Sequence, residues 1–469
     1  MIRNHSRHGS RFPVTSGSAS DPYWSSVSML LHGDGTNAAQ NNTFLDGSTN
    51  NFTVTRNGNT TQGSFNPFVS TYPYAVATNG GSAYFDGTGD YLTVPDNAAF
   101  TLGTNDFTIE CWVYPTVAVN EYIAAQAGAA GSPAVTSFFL YMSSTGVPQF
   151  YVSIGGSFVA ASSSITVSLN AWAHIACVRN GATIRIYVNG VQGATLSVST
   201  GSILDSSGSL AIGTLGDLLT NPFAGYISNF RLVNGTCLYP SGTTFTPPTA
   251  PLTAVTNTAL LLGMSNAAIF DNAELNNLET VANAQISTSV FKYGTGSMKF
   301  STNTDWLSTP AKTAFALGSG DFTIEMWTYF NALSQQVFAG QTNATISALS
   351  FYMIIFGTGQ LQCVIKDGVS VVQAASSVGA ITATTWQHIA FTRDGNALRL
   401  YINGVQQPTV GNTTGFTVAT STDPLGVGGS LFLSSLMNGY IDDFRFTKGV
   451  CRYPGGTTFI PPTAAFPNS

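Results

Sequence analysis

Charge is what this sequence has least of. Acidic and basic residues together make up 8% of it, against roughly 25% in an average soluble domain. The formal net charge is −6, which argues against a nucleic-acid partner, because phosphate backbones are gripped by clustered Lys and Arg. Hydrophobic residues reach 43% but never form the run of ~18 or more that a helical membrane span needs. Cysteine is sparse: five residues, without CxxC or CxxxH spacing, so no zinc or redox motif is written. GxSxG, HExxH and glycine-rich phosphate loops are missing as well, which removes the commonest hydrolase, metalloprotease and nucleotide-binding signatures. No stretch of useful length carries a 3.6-residue apolar period, so helices are not expected.

What the sequence has in abundance is repetition. WAHIACVRNGATIRIYVNGV from Trp172 returns as WQHIAFTRDGNALRLYINGV from Trp386. GSAYFDGTGDYL from Gly81 matches GSMKFSTNTDWL from Gly296, and GYISNFRLVNGTCLYPSGTTFTPPTAPL from Gly225 matches GYIDDFRFTKGVCRYPGGTTFIPPTAAF from Gly439. The opening strands are SMLLHGDG from Ser28 and ALLLGMSN from Ala259. A period of about 215 residues is too long for a solenoid and indicates two copies of one whole domain. The first copy carries about 16 extra residues in the Asn/Thr/Gly-rich loop between Gly35 and Gly80. A specific contact with a host or neighbour is expected there, since function concentrates in loops. The expected division is an arm at 1–22, a first domain at 23–252 and a second at 253–469, joined by the Pro-rich stretch FTPPTAPLTAVTNTA. Proline makes such a stretch a stiff connector.

Within each copy the signal is strand after strand. Ile184, Ile186 and Val188 alternate with Arg185, Tyr187 and Asn189, the period-two pattern of a half-buried strand. Asn189-Gly190 and Asn403-Gly404 read as tight hairpin turns, because both central positions of a type I′ turn need positive φ. Many short strands with Gly/Asn/Ser turns predict an all-β, two-sheet antiparallel sandwich in each copy. Overlaying the copies sets Cys111 against Met326, Cys177 against Phe391 and Cys363 against Phe150. These three behave as small core hydrophobes. Cys237 matches Cys451, so free thiols are expected, as suits assembly in a reducing cytoplasm. The N-terminal segment has Arg3, Arg7 and Arg11 with His5 and His8, and no apolar core of a secretory signal. It is expected to be a basic arm that docks on a neighbour.

The ordered set FDGTGDYL, DFTIECWVYP, WAHIACVRNG, IRIYVNGV and GYISNFRL, with its second copy DFTIEMWTYF, WQHIAFTRDG, LRLYINGV and GYIDDFRF, resembles the laminin-G-like, concanavalin A-like lectin/glucanase domain. That resemblance covers about Tyr23 to Pro467. It implies two tandem antiparallel jelly-roll β-sandwiches behind an extended N-terminal arm. SDPYWSSVSMLLHGDG and the exit GTCLYPSGTTFTPPTAPL are similar to virion-associated proteins of marine bacteriophages, which implies assembly in the host cytoplasm and a place on the virion. With no coiled-coil or collagen-like shaft, the expectation is a short tail fibre or tail-associated adhesin for host glycans, or alternatively a capsid decoration protein. A trimer is expected by the same analogy.

The candidate chemistry is thin. A glycosidase needs two carboxylates flanking the scissile bond. The strands offer only Glu110 and, in the second copy, Glu325. Each is expected to be a paired structural group, with His174 and Arg179 or His388 and Arg393 as partners, so no catalytic residue is assigned and the protein is read as not an enzyme. Glycan contact is assigned to the loop aromatics Trp24, Tyr72, Tyr74, Tyr239 and Tyr453. Calcium is the expected cofactor, if there is one, with Asp34 and Asp86 as oxygen donors in the first copy and Asp442 and Asp443 in the second. The acids are split: Asp34 matches Ser265, and Asp443 matches Asn229. Three N-x-T sequons, at Asn41, Asn51 and Asn59, are read as composition.

Overall fold

The computed structural model describes residues 20–68, 74–128, 131–198, 201–216, 220–240, 244–273, 275–342, 350–431, 435–456 and 458–468. Arg3, Arg7 and Arg11 of the expected arm, and Tyr72 of the glycan set, lie outside them. Among the described residues the chain is all-β, with one single-turn α-helix at Val76–Asn79 and four sheets whose strands pair antiparallel. One sandwich has sheets of seven and eight strands, the other of nine and seven. The predicted alternation sets the cores. In Phe107–Pro115, the side chains of Phe107, Ile109, Cys111 and Val113 enter the first core. In Phe322–Phe330, Phe322, Ile324, Met326 and Phe330 enter the second. Cys111, Cys177 and Cys363 are buried, and all five thiols are free.

The outer faces of these central strands are covered too, which is why Glu110 and Glu325 are fully buried. The cover is the exit segment of each copy. Phe245 lies over Tyr187 and stacks on Tyr239, with ring centroids 3.7 Å apart and planes within 7°. Phe459 and Tyr453 repeat this at 3.6 Å and 3°. The Asn-Gly turns make room for the cover. Asn189 and Gly190 have φ of 50° and 76°, as a type I′ turn requires. The Gly190 carbonyl accepts the Phe245 N–H. A Cβ on Gly190 would sit 1.9 Å from the Phe245 oxygen, and one on Gly404 equally close to that of Phe459. The Pro-rich stretch is therefore not a free connector: its first residues roof the sheet, and its last, Thr258 and Ala259, begin a strand.

The two sandwiches and the two sequence copies do not coincide. A boundary at 252/253 assigns Thr258–Leu262 to the second domain. It instead pairs with Ala224–Asn234 of the first sandwich, Leu262 opposite Phe230 and Leu260 opposite Leu232. Val27–Leu31, the opening strand of the first copy, pairs with Gly439–Lys448 of the second sandwich, Leu31 opposite Phe444 and Met29 opposite Phe446. Met29 and Leu31 belong to the second core, Leu260 and Leu262 to the first. The opening strands are exchanged, and each is held at its outer edge by an aspartate of the opposite copy. Asp271 accepts the Leu30 N–H at 2.9 Å, and Asp46 accepts that of Leu261 at 3.0 Å. The loop from Gly35 is one of the two crossings. Its Asn41 is buried with its amide spent four ways, donating to Ile269 and Leu278 and accepting from Ala268 and Ile269. This sequon asparagine is a rivet between crossings, and much of the loop contacts its own chain.

Candidate functional site

Two buried polar clusters occupy equivalent places under the exit segments. In the first sandwich, Glu110 Oε1 accepts Arg231 Nε at 3.0 Å and Nη2 at 2.5 Å, while Oε2 meets His174 Nε2 at 3.1 Å and the Tyr239 hydroxyl at 2.8 Å. Burial alone raises the pKa of Glu110. The His174 hydrogen bond and the Arg231 charge outweigh it and hold the carboxyl below its usual range. In the second sandwich, Glu325 takes Arg445 at 3.0 and 2.7 Å and the Tyr453 hydroxyl at 2.6 Å, with His388 Nε2 3.3 Å away. Its pKa is likewise lowered, burial being outweighed chiefly by Arg445. His174 is thus a partner of Glu110, as expected. Arg179 is not: its guanidinium donates to the carbonyls of Gly181, Gly103 and Gly201. Arg393 does the same with Gly395, Gly318, Thr413 and Phe416. The partner missed from sequence is the arginine of GYISNFRL and GYIDDFRF. The register sets Arg231 opposite Glu110 and Arg445 opposite Glu325.

Each cluster centres on one buried glutamate held by arginine and tyrosine, whereas a glycosidase flanks the scissile bond with two carboxylates. Tyr239 and Tyr453, assigned to glycan contact, belong to these clusters. Each has one ring face against phenylalanine and its hydroxyl on a glutamate. Tyr74 is buried, hydrogen-bonded to the Gly80 carbonyl and packed on Phe270 at 4.8 Å. Trp24 is half-buried against Val27, Leu30, Ala273 and Phe466. The four described aromatics do not converge on one surface.

The four aspartates regroup. Asp86 stays in the first sandwich beside Asp90, whose carboxyl burial pushes up to about 6. Asp34 is carried by the exchanged strand to the second sandwich, where its charge acts on Asp442 together with that of Asp443. Burial first, then Asp443, pushes Asp442 up to about 7. Asp443, at φ 52° in a bulge of Gly439–Lys448, binds His32 at 2.5 Å and the Phe466 N–H at 3.0 Å. The matched first-sandwich positions are Ser228, Asn229, Gly263 and Ser265, all neutral. Strand exchange therefore places in one sandwich the acids that the sequence splits between copies. Calcium takes six to eight oxygen ligands. The Asp442 Oδ2 is taken by the Lys292 and Tyr293 N–H groups, the Asp34 Oδ1 by Thr295. Among the described residues no group of three or more His, Cys, Asp or Glu is arranged to hold a metal ion.

The profile described as the concanavalin A-like lectin/glucanases superfamily, laminin G type, matches residues 86–238 and 301–451. The chain belongs to that family, once in each half. A comparison with curated protein sequences finds no match. Among solved structures, the chain is similar to domains LG4-5 of the mouse laminin alpha1 chain at 15% identity and a TM-score of 0.31, covering 81% of this chain and 92% of that one. It is also similar to domain 4 of AbnA, a GH43 extracellular arabinanase from Geobacillus stearothermophilus in complex with arabinotriose. There the identity is 19% and the TM-score 0.30, over 40% of this chain and 85% of that one. Likeness at this level carries no functional inference. No described helix is long and apolar enough to cross a membrane.

Proposed function

We propose that the chain is a non-enzymatic, surface-displayed protein of a bacteriophage particle, whose paired lectin-family sandwiches meet neutral glycans of the host. The observation that carries the reading is the sealing of Glu110 and Glu325. The one central carboxylate of each sandwich is spent on arginine, histidine and tyrosine beneath the exit segment, which supports a reading of binding over hydrolysis. The low charge supports neutral partners, because it limits non-specific electrostatic sticking. The root of the N-terminal arm supports display, since Asp21 is fixed to the second sandwich by Arg445 and Arg452. A basic arm leaving that point would hold the protein to the particle.

The test has two parts. Labelled protein is applied to a glycan array and to host cells, and residues 1–19 are deleted, which spares Asp21. Binding of neutral glycans with loss of particle attachment supports the reading. No glycan and no cell binding refutes adhesion, and full retention on particles refutes the arm. A second reading, a capsid decoration protein, is favoured by exposed apolar side chains on the second sandwich: Val369 is 89% and Ile460 85% exposed. Imaging particles labelled on this chain separates tail from shell, and shows whether it sits there as a trimer.

A further inference from the structure

We propose that the Gly439–Lys448 edge of the second sandwich, with Arg445, Arg452 and Asp443, is a docking site for residues 20–34, and that it accepts this segment from a second copy of the chain through the same contacts. The two junctions differ. In the first sandwich the chain runs unbroken from Leu252 through Thr253 into the strand Thr258–Leu262, and Arg231 Nη1 donates to the Thr253 carbonyl at 2.7 Å. In the second sandwich the exit segment does not itself supply the neighbouring strand. The strand beside it, Val27–Leu31, arrives from the other end of the chain.

At that break stand polar pairs that the first sandwich lacks. Asp21 receives Arg445 at 2.9 Å and both terminal nitrogens of Arg452 at 2.9 and 2.8 Å. His32 bridges Asp443 at 2.5 Å and Asn468 at 2.6 Å. The positions matching Arg452, Asp443 and His32 are Leu238, Asn229 and Gly263. Charged contacts thus stand where covalent continuity is missing. Between them, Val27, Met29, Leu30 and Leu31 are buried, so the segment is gripped by an apolar strand with a polar clasp at each end.

On the segment's side these pairs use only Asp21 and His32, both within residues 20–34, so recognition is local and an identical segment from another copy satisfies it. Adding a strand to a sheet edge is a general mode of chain recognition, and exchange of an identical element is a low-cost route to dimers. Within one chain the tether gives an effective concentration in the mM range, which keeps dilute protein closed on itself. Copies packed side by side reach the same regime.

Two full-length variants test this. Asp21→Arg repels its own segment from Arg445 and Arg452 but keeps the acceptor. Arg452→Glu spoils the acceptor but keeps the segment. Native mass spectrometry of the mixture should show a 1:1 heterodimer that neither variant forms alone. A mixture that stays monomeric, or variants whose 27–31 amides remain as protected from exchange as in the parent, would overturn the proposal. Should Asp21→Arg fold poorly, a synthetic peptide of residues 20–34 added to it decides the matter. A saturable rise in its Tm supports the site, and no shift removes it.

Discussion

Replacing Glu110 by Gln should destabilise the protein more than replacing Glu325 by Gln, although the two positions match in sequence. Glutamine keeps the size and one accepting oxygen but removes the charge. In the first sandwich that leaves the Arg231 cation buried with neutral acceptors alone, the amide oxygen of the new glutamine and the Thr253 carbonyl. Removing one partner of a buried pair costs about 3–5 kcal/mol. In the second sandwich, Arg445 keeps Asp21 at 2.9 Å, so a carboxylate still faces the cation and the loss is expected to be about half as large. At roughly 2–4 °C per kcal/mol for domains of this size, Glu110→Gln lowers Tm by about 6–20 °C. Scanning calorimetry at pH 7 reads both variants. The sign with pH is fixed by the lowered carboxyl pKa of Glu110. Its contribution is complete above the unfolded value of about 4.3 and fades as pH falls through the folded one, so variant and parent converge in acid. Equal losses in the two variants, or a larger loss for Glu325→Gln, would refute the assignment of Asp21 as a second counter-ion.

Asp442→Asn should stabilise the protein more at pH 8 than at pH 5. The folded pKa of Asp442 is raised to about 7, so the parent loses stability as pH rises from the unfolded carboxyl value of about 3.9 to the folded one, and melting from pH 5 to 8 shows the variant's flattened slope. Asn41→Ala removes four buried hydrogen bonds between the crossings. At 0.5–1.5 kcal/mol each the loss is about 2–6 kcal/mol, measured by urea unfolding. Gly190→Ala forces a non-glycine residue into positive φ, about 1–3 kcal/mol, and drives a methyl into the Phe245 carbonyl. Loosening of the exit segment should then speed labelling of the half-buried Cys237 thiol.

The sandwich class, both cores, the hairpin turns and the free thiols were legible because each rests on local pattern: alternation, Asn-Gly pairs and apolar exchange between copies. Partner choice inside the polar clusters was less so. Alternation put Glu110 on the outer face and Arg179 on a neighbouring strand. Yet Arg179 lies at the end of its strand opposite Phe107, while Arg231 lies opposite Glu110 across a bulge. A bulge shifts every pairing beyond it, and a single sequence does not announce it. Strand exchange was hidden for a related reason. SMLLHGDG and ALLLGMSN are near equivalents, so either fits either edge by apolar pattern alone. One signal was available: Arg452 breaks the match with Leu238, and Asp21 is the acid that answers it.

Each of the two sandwiches is completed by the opening strand of the other copy. The chain is a closed ring of two members whose seam is fastened with charge instead of a peptide bond. The rule that builds it contains no number. Inserting a third copy between the two would leave both kinds of joint unchanged: continuous joints between successive copies, and one ionic seam at Asp21 and His32.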